Sequence, residues 1–201
     1  MPNLHVTYRY ASKELDKLVD IQAHISPLPP KYRKLIAEII LLRAFSVFEE
    51  SVLLVACKLV CGADYCDGSK PLILVSAGSA ADAEDKMRNY GRRKPRTNLS
   101  WTRATEIKEN LRYLIHAKDH FIAIIDQHGA FVDEVRRVRN RIAHNNPNSR
   151  KAYRVVVRRY YGAYLNSISP GTLLLSDKRS PVLIEQYLTK CRILMKHLVK
   201  A

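Results

Sequence analysis

Apolar positions recur along most of the chain at the three-and-four spacing that lines one face of an α-helix. Leu15, Leu18 and Ile21 mark a first helix over residues 8–24. The run Pro27-Leu28-Pro29-Pro30 ends it and makes a stiff connector, because proline fixes φ and has no N–H to give to a helix. Residues 31–61 carry apolar side chains all round, from Leu35 and Ile36 through Phe45 and Phe48 to Leu59 and Val60. They predict a long buried helix with Gly62 as its terminator. The pattern lapses over residues 62–100, where Gly62, Gly68, Pro71, Gly78, Gly91 and Pro95 surround one short helical stretch near Ala80–Tyr90. This segment reads as a mobile basic insertion. A stripe resumes after Ser100 with Leu111, Leu114, Ile115, Phe121, Ile122 and Ile125, and Gly129 is expected to break it. Phe131, Val135, Val138 and Ile142 predict a helix from about Ala130 to His144, stopped by Asn145-Asn146-Pro147-Asn148-Ser149. Residues 150–162 read either as another basic helix or as an extended segment, since Val155-Val156-Val157 favours a strand. Pro170-Gly171 marks a turn, and Leu183, Tyr187, Leu188, Cys191, Leu194, Met195 and Leu198 mark a last helix over residues 181–199. The expected fold is an all-α bundle forming one domain over residues 1–201, with the insertion at about 62–100 and a C-terminal extension at about 150–201.

The chain has 201 residues, 47% of them hydrophobic, enough to bury a core and too apolar for global disorder. Charge sharpens the picture. There are 34 Lys+Arg against 19 Asp+Glu, a formal net charge of +15. The basic residues cluster: nine lie between Val135 and Tyr160, and seven between Lys86 and Arg103, with no acidic residue in either stretch. A surface that is merely soluble mixes signs. Unmixed basic stretches point to a polyanion, bound with release of its counterions. The four cysteines, Cys57, Cys61, Cys66 and Cys191, form no C-x-x-C pair. Cys57 and Cys61 fall within an apolar helical pattern and read as core rather than zinc ligands. The first residues lack the apolar run of a secretory signal. Glu38, Arg43, Glu49, Glu50 and Lys58 interrupt the longest apolar stretch, Ile36–Val60, so no membrane span and a cytosolic location are expected.

The residues with chemistry to offer stand near the end of the helix over 130–144. At about 100° per residue, Asn140 and His144 lie one turn apart on nearly the same face, and Arg137 sits near it too. Arg139 lies about 140° around the axis from His144, with a side chain long enough to reach back. A helix C-terminus favours a cationic side chain, which suits His144 for proton donation or phosphate contact. RNA carries its own nucleophile, the 2′-hydroxyl. Its cleavage needs a base, an acid for the departing 5′-oxygen and positive charge on the phosphorane-like transition state. Histidine supplies proton transfer, arginine supplies charge and paired contacts to phosphate, and asparagine orients either. No acidic cluster suited to Mg²⁺ stands out, and no cofactor is expected. One histidine falls short of two proton transfers. A symmetric dimer with two such helices side by side would supply the second.

Arg139-Asn140-Arg141-Ile142-Ala143-His144 resembles the R-polar-x-x-x-H signature of the HEPN superfamily. The surrounding stretch from Arg137 to Asn146 resembles the commonest form of that signature, and the chain looks most like the RiboL-PSP and related stand-alone groups. Glu49 and Glu50 on the preceding apolar helix, with Arg43 on the same helix, resemble polar residues that face the motif in that family. The resemblance implies a helical bundle over roughly residues 8–145, dimerising across the motif helices, with a composite site built from both copies. It implies metal-independent endonucleolytic cleavage to a 2′,3′-cyclic phosphate, in a toxin or antiviral-defence setting with a cognate antitoxin as candidate partner. Arg139, Asn140 and His144 would then be catalytic, and Arg43, Glu49 and Glu50 supporting. Arg136, Arg137, Arg141, Arg92, Arg93, Lys94 and Arg96 would hold the RNA electrostatically.

Each assignment has a plainer counterpart. His144 alone is a helix-capping histidine, Asn145 a terminator, and Glu49 or Glu50 one end of a structural ion pair to Arg43 or Arg139. Tyr153, Tyr160, Tyr161 and Tyr164 read either as stacking platforms for unpaired bases or as an apolar face packing on the bundle. Trp101 reads as a core anchor. His116 and His120, an i,i+4 pair, lack a third ligand for metal. At the level of function, the rivals are a noncatalytic RNA-binding or scaffold HEPN protein and a toxin–antitoxin partner module.

Overall fold

A computed structural model describes every residue except Met1, Pro2, Tyr164 and Asn166. Tyr164, read above among the tail tyrosines, therefore lies outside the described residues. The described residues form eight helices and no strand: α1 (Leu4–Ala23), α2 (Pro30–Val60), α3 (Ala80–Asn89), α4 (Ala104–Leu111), α5 (His120–Ala143), α6 (Pro147–Tyr161), α7 (Pro170–Leu174) and α8 (Leu183–Leu198). The protein is all-α. No described helix is long and apolar enough to cross a membrane.

Two compact units share these helices. One comprises residues 1–12, 48–132 and 193–201, the other residues 13–47 and 133–192. In the first, the C-terminal half of α2 supplies Phe48, Val52, Val55, Ala56 and Leu59 to the buried set, alongside Trp101, Ile107, Leu111, Phe121 and Ile125. In the second, Ile40, Leu41, Phe45, Val135, Val138, Tyr153, Val157 and Tyr187 are buried. Gly171 belongs to this second core. A Cβ there would meet the Lys34 carbonyl oxygen at 2.7 Å, so only glycine lets α7 approach α2 so closely. Its N–H is held by Glu38 Oε1 at 2.8 Å.

The structure departs from the sequence reading in five places. The stripe after Ser100 is two helices, not one. Residues 112–119 are taken out of helix because their backbone pairs elsewhere: Leu74 N–H donates to the Leu114 carbonyl, and His116 N–H donates to the Leu72 carbonyl, both at 2.8 Å. Gly129 breaks nothing and lies inside α5, where a Cβ would come within 3.1 Å of Ala104 Cβ; it serves helix packing. Pro147 opens α6 at its first turn, where a missing N–H costs nothing. Pro170-Gly171 is likewise a helix start, not a turn. The ambiguous segment 150–162 resolves as helix, with Ser149, Tyr153, Val156, Val157 and Tyr160 buried on one face. The segment over 62–100, expected to be mobile, is bonded to the rest of its unit: Cys66 N–H donates to the Val199 carbonyl at 2.8 Å, and Ala77 N–H to the Val60 carbonyl at 2.9 Å.

Candidate active site

The C-terminal third of α5 owes its orientation to Val135 and Val138, 2% and 0% exposed, which fix the buried face three residues apart. The intervening arginines are thereby left half-buried, with their heads free to find polar partners. Arg136 and Arg137 both reach Asp133, at 3.2 and 3.9 Å. Arg139 donates through Nη1 to Asn140 Oδ1 at 3.0 Å, and its guanidinium carbon lies 5.8 Å from the ring centre of buried Phe45 on α2. A cation over an aromatic face gains from the ring's negative centre, so the ring and the amide together steer this side chain.

His144 is the first residue after α5 and is exposed. Its N–H still donates to the Asn140 carbonyl at 2.9 Å, continuing the helical pattern for one residue. Its carbonyl accepts from the hydroxyl of Ser149, itself 7% exposed. Asn146 caps α6 by accepting from Ser149 N–H at 2.8 Å. Three residues, His144–Asn146, thus join the helices, and each backbone group named here is bonded. His144 stands between the C-terminus of α5, whose dipole favours a cationic side chain, and the N-terminus of α6, whose dipole favours an anion. Asn145 is more than a terminator: its Oδ1 accepts from Arg141 at 2.8 Å and from Arg150 at 3.0 and 3.2 Å. Opposite its buried stripe, α6 exposes Arg150, Lys151, Arg154 and Arg158. The sequence reading did not include these among the RNA contacts. Their three-and-four spacing was the signal, obscured by the valine run.

The structure gathers Arg136, Arg137, Arg139, Asn140, Arg141 and His144 in the second unit, with Arg43. Arg43 bonds Glu14 Oε2 at 3.0 Å. Glu49 and Glu50 fall in the part of α2 that belongs to the first unit, where Glu50 accepts from the Tyr10 hydroxyl at 3.4 Å. Arg92, Arg93, Lys94 and Arg96 are in the first unit too. Arg92 is structural: its side chain is 8% exposed, pairs with Glu109 at 3.0 Å, and donates to the backbone carbonyls of Met87 and Glu109. Arg96 donates to Asn110 Oδ1 at 2.6 Å. Arg93 and Lys94 are exposed and keep an electrostatic role open to them.

Other residues settle into the cores. Tyr153 and Tyr160 are buried, with Arg179 4.9 Å over the Tyr160 ring, so these two tail tyrosines pack. Trp101 is buried, as expected of a core anchor. Burial pushes the Cys57 and Cys191 thiols up to about 12, far from nucleophilic range. His116 Nδ1 accepts from Lys118 N–H, whereas His120 Nε2 donates to the His197 carbonyl at 2.7 Å, so the pair is spent on the fold. Among the described residues no group of three or more His, Cys, Asp or Glu is arranged to hold a metal ion. No family model, curated protein or solved structure matches the chain.

Proposed function

We propose that the chain is an endoribonuclease of the HEPN type, acting at the α5–α6 corner. The observation that carries this reading is the exposed His144, one turn beyond Asn140, whose amide holds a ring-backed Arg139, in a corner with Arg141, Arg150 and Lys151 close along the chain. In the proposed reaction the 2′-oxygen of a ribose attacks the adjacent phosphorus. The P–O5′ bond breaks, and the products are a 2′,3′-cyclic phosphate and a free 5′-hydroxyl. His144 moves one of the two protons, at the attacking or the leaving oxygen. Arg139 offsets charge on the phosphorane oxygens, and Asn140 holds Arg139 in place. The second proton transfer falls to His144 of a second copy, making the site composite. A toxin or antiviral-defence role, restrained by a cognate antitoxin, is the biological setting consistent with such an activity.

Purified protein incubated with total RNA in EDTA tests the reading. Cleavage is expected to persist without divalent metal and to fall by about 10²–10⁴ in His144→Ala, the usual contribution of a general acid–base group. RNA binding without cleavage, unchanged in His144→Ala, would leave a noncatalytic RNA-binding protein. No affinity for RNA would remove both readings.

A further inference from the structure

Residues 24–29 turn the chain from the end of α1 into the first turn of α2. Beside this turn, within the second unit, a cleft of about 920 Å³ opens toward the segment joining α7 to α8. That volume lies within the roughly 300–1,000 Å³ typical of small-molecule sites. Ile25, Pro30 and Val182 make part of its wall apolar. Two other lining side chains carry buried polar atoms with no hydrogen-bond partner among the described residues: Gln22 Oε1 and Arg33 Nε. Gln22 is 8% exposed, so its amide oxygen faces little water. A buried acceptor and a buried donor left unmade are costly and uncommon, and in a cleft they call for a ligand that completes both.

The same lining carries charge of both signs. Lys34 stands with Arg33 on the cationic side, and Asp177 and Glu185 supply carboxylates. None of these four side chains forms an ion pair or a hydrogen bond among the described residues. Lys178 is already committed, donating to the Tyr161 carbonyl at 3.0 Å. Opposite charges that line one cleft without pairing leave room for a ligand that carries both signs. A bare anion such as sulfate or acetate answers Arg33 but gives Gln22 Oε1 no proton, and the two carboxylates repel it. A simple amine reverses the fault, leaving Arg33 Nε without an acceptor. An aliphatic ligand answers neither atom. A zwitterion answers both. Its carboxylate can take the side-on fork of a guanidinium, Nε together with one Nη, in the paired geometry that arginine favours. Its ammonium has three protons to divide between Gln22 Oε1 and the carboxylates.

We propose that this cleft binds a small zwitterion, an ammonium and a carboxylate on one apolar body, with Arg33 taking the carboxylate and Gln22 the ammonium. A free α-amino acid and a short unblocked peptide share this chemistry. The site uses none of the residues at the α5–α6 corner, and its readout is binding without turnover, so it stands or falls whether or not the chain cleaves RNA. Titration calorimetry of the full chain with L-leucine and with leucyl-leucine separates the two sources. Isocaproate and isoamylamine, which each keep one of leucine's two charges, are the controls. At least one zwitterion is expected to bind saturably, to raise the melting midpoint, and to bind about tenfold or more tightly than either control, the scale of one buried hydrogen bond. Binding of leucine alone assigns the cleft to a free amino acid, and binding of leucyl-leucine alone assigns it to peptide ends. Arg33→Met should remove the advantage of the bound zwitterion over isoamylamine, and Gln22→Leu should reduce its advantage over isocaproate. A general loss of fold would not divide the two controls in this way. Arg33→Lys keeps the charge but loses the Nε–H fork, and serves as the second variant should Arg33→Met fail to fold. No binding of either zwitterion, equal binding of a single-charge control, or zwitterion binding that ignores the variants would overturn the proposal.

Discussion

Asp119 is 1% exposed, yet its carboxylate holds three groups together: the Tyr65 hydroxyl at 2.6 Å, Leu72 N–H at 2.8 Å and Phe121 N–H at 2.9 Å. The last of these caps the start of α5, and the second fastens residues 72–75 beside 114–116. Burial and the bond to Asp119 push the Tyr65 hydroxyl above its ordinary range, so it remains a donor at any working pH. Asp119→Ala removes a cap and leaves the buried Tyr65 hydroxyl and the Leu72 N–H without this acceptor. The expected loss is roughly 2–4 kcal/mol, read as a fall in the denaturant midpoint. A loss under about 1 kcal/mol would mean that water satisfies these donors instead. The sequence did not display this role. An aspartate within a run of helical spacing reads as a surface residue, and its three partners come from segments up to 54 residues away.

At the scale of elements, helices whose apolar stripes are unbroken were legible from spacing alone. α1, α2 and α8 lie within a few residues of their expected bounds, apart from the earlier start of α1 at Leu4. There Asn3 Oδ1 accepts from His5 N–H at 2.8 Å, a local cap that the apolar pattern does not register. Boundaries set by backbone pairing were not legible, as the lost stretch between α4 and α5 demonstrates. Asn145-Asn146-Pro147 contained both a stop and a start. Proline was read as the end of one helix, although the same fixed φ suits the first turn of the next. Asn146→Ala removes the α6 cap and is expected to cost about 1 kcal/mol. Because that cap also positions Ser149, which holds the His144 carbonyl, RNA cleavage should fall together with stability. Unchanged cleavage in a destabilised Asn146→Ala protein would show that His144 keeps its place without the cap.

Over the whole molecule, the net charge of +15 is divided unequally among functions. Some of the basic residues that looked like an RNA surface are spent on structure: Arg92 on Glu109, Arg136 on Asp133, and Arg159 on Glu134 at 3.0 Å. On α6, Lys151 and Arg154 are exposed on the face away from the buried stripe, in the helix that follows the exposed His144. That imidazole can transfer one proton at a time, and cleavage by 2′-oxygen attack requires two transfers. A site that needs the imidazoles of two copies makes a prediction that a single-chain site cannot share. His144→Ala is then inactive alone. Mixed with an equal amount of wild-type protein and allowed to exchange, it forms heterodimers that hold one imidazole where two are needed. Random pairing leaves half of the wild-type chains in native dimers, so the activity of the wild-type protein falls to about half. Activity should also fall on dilution and return on concentration. If the mixture keeps the full wild-type activity while that activity stays proportional to protein at every concentration, the site lies within one chain, and the second proton must move through another group of that chain or through solvent.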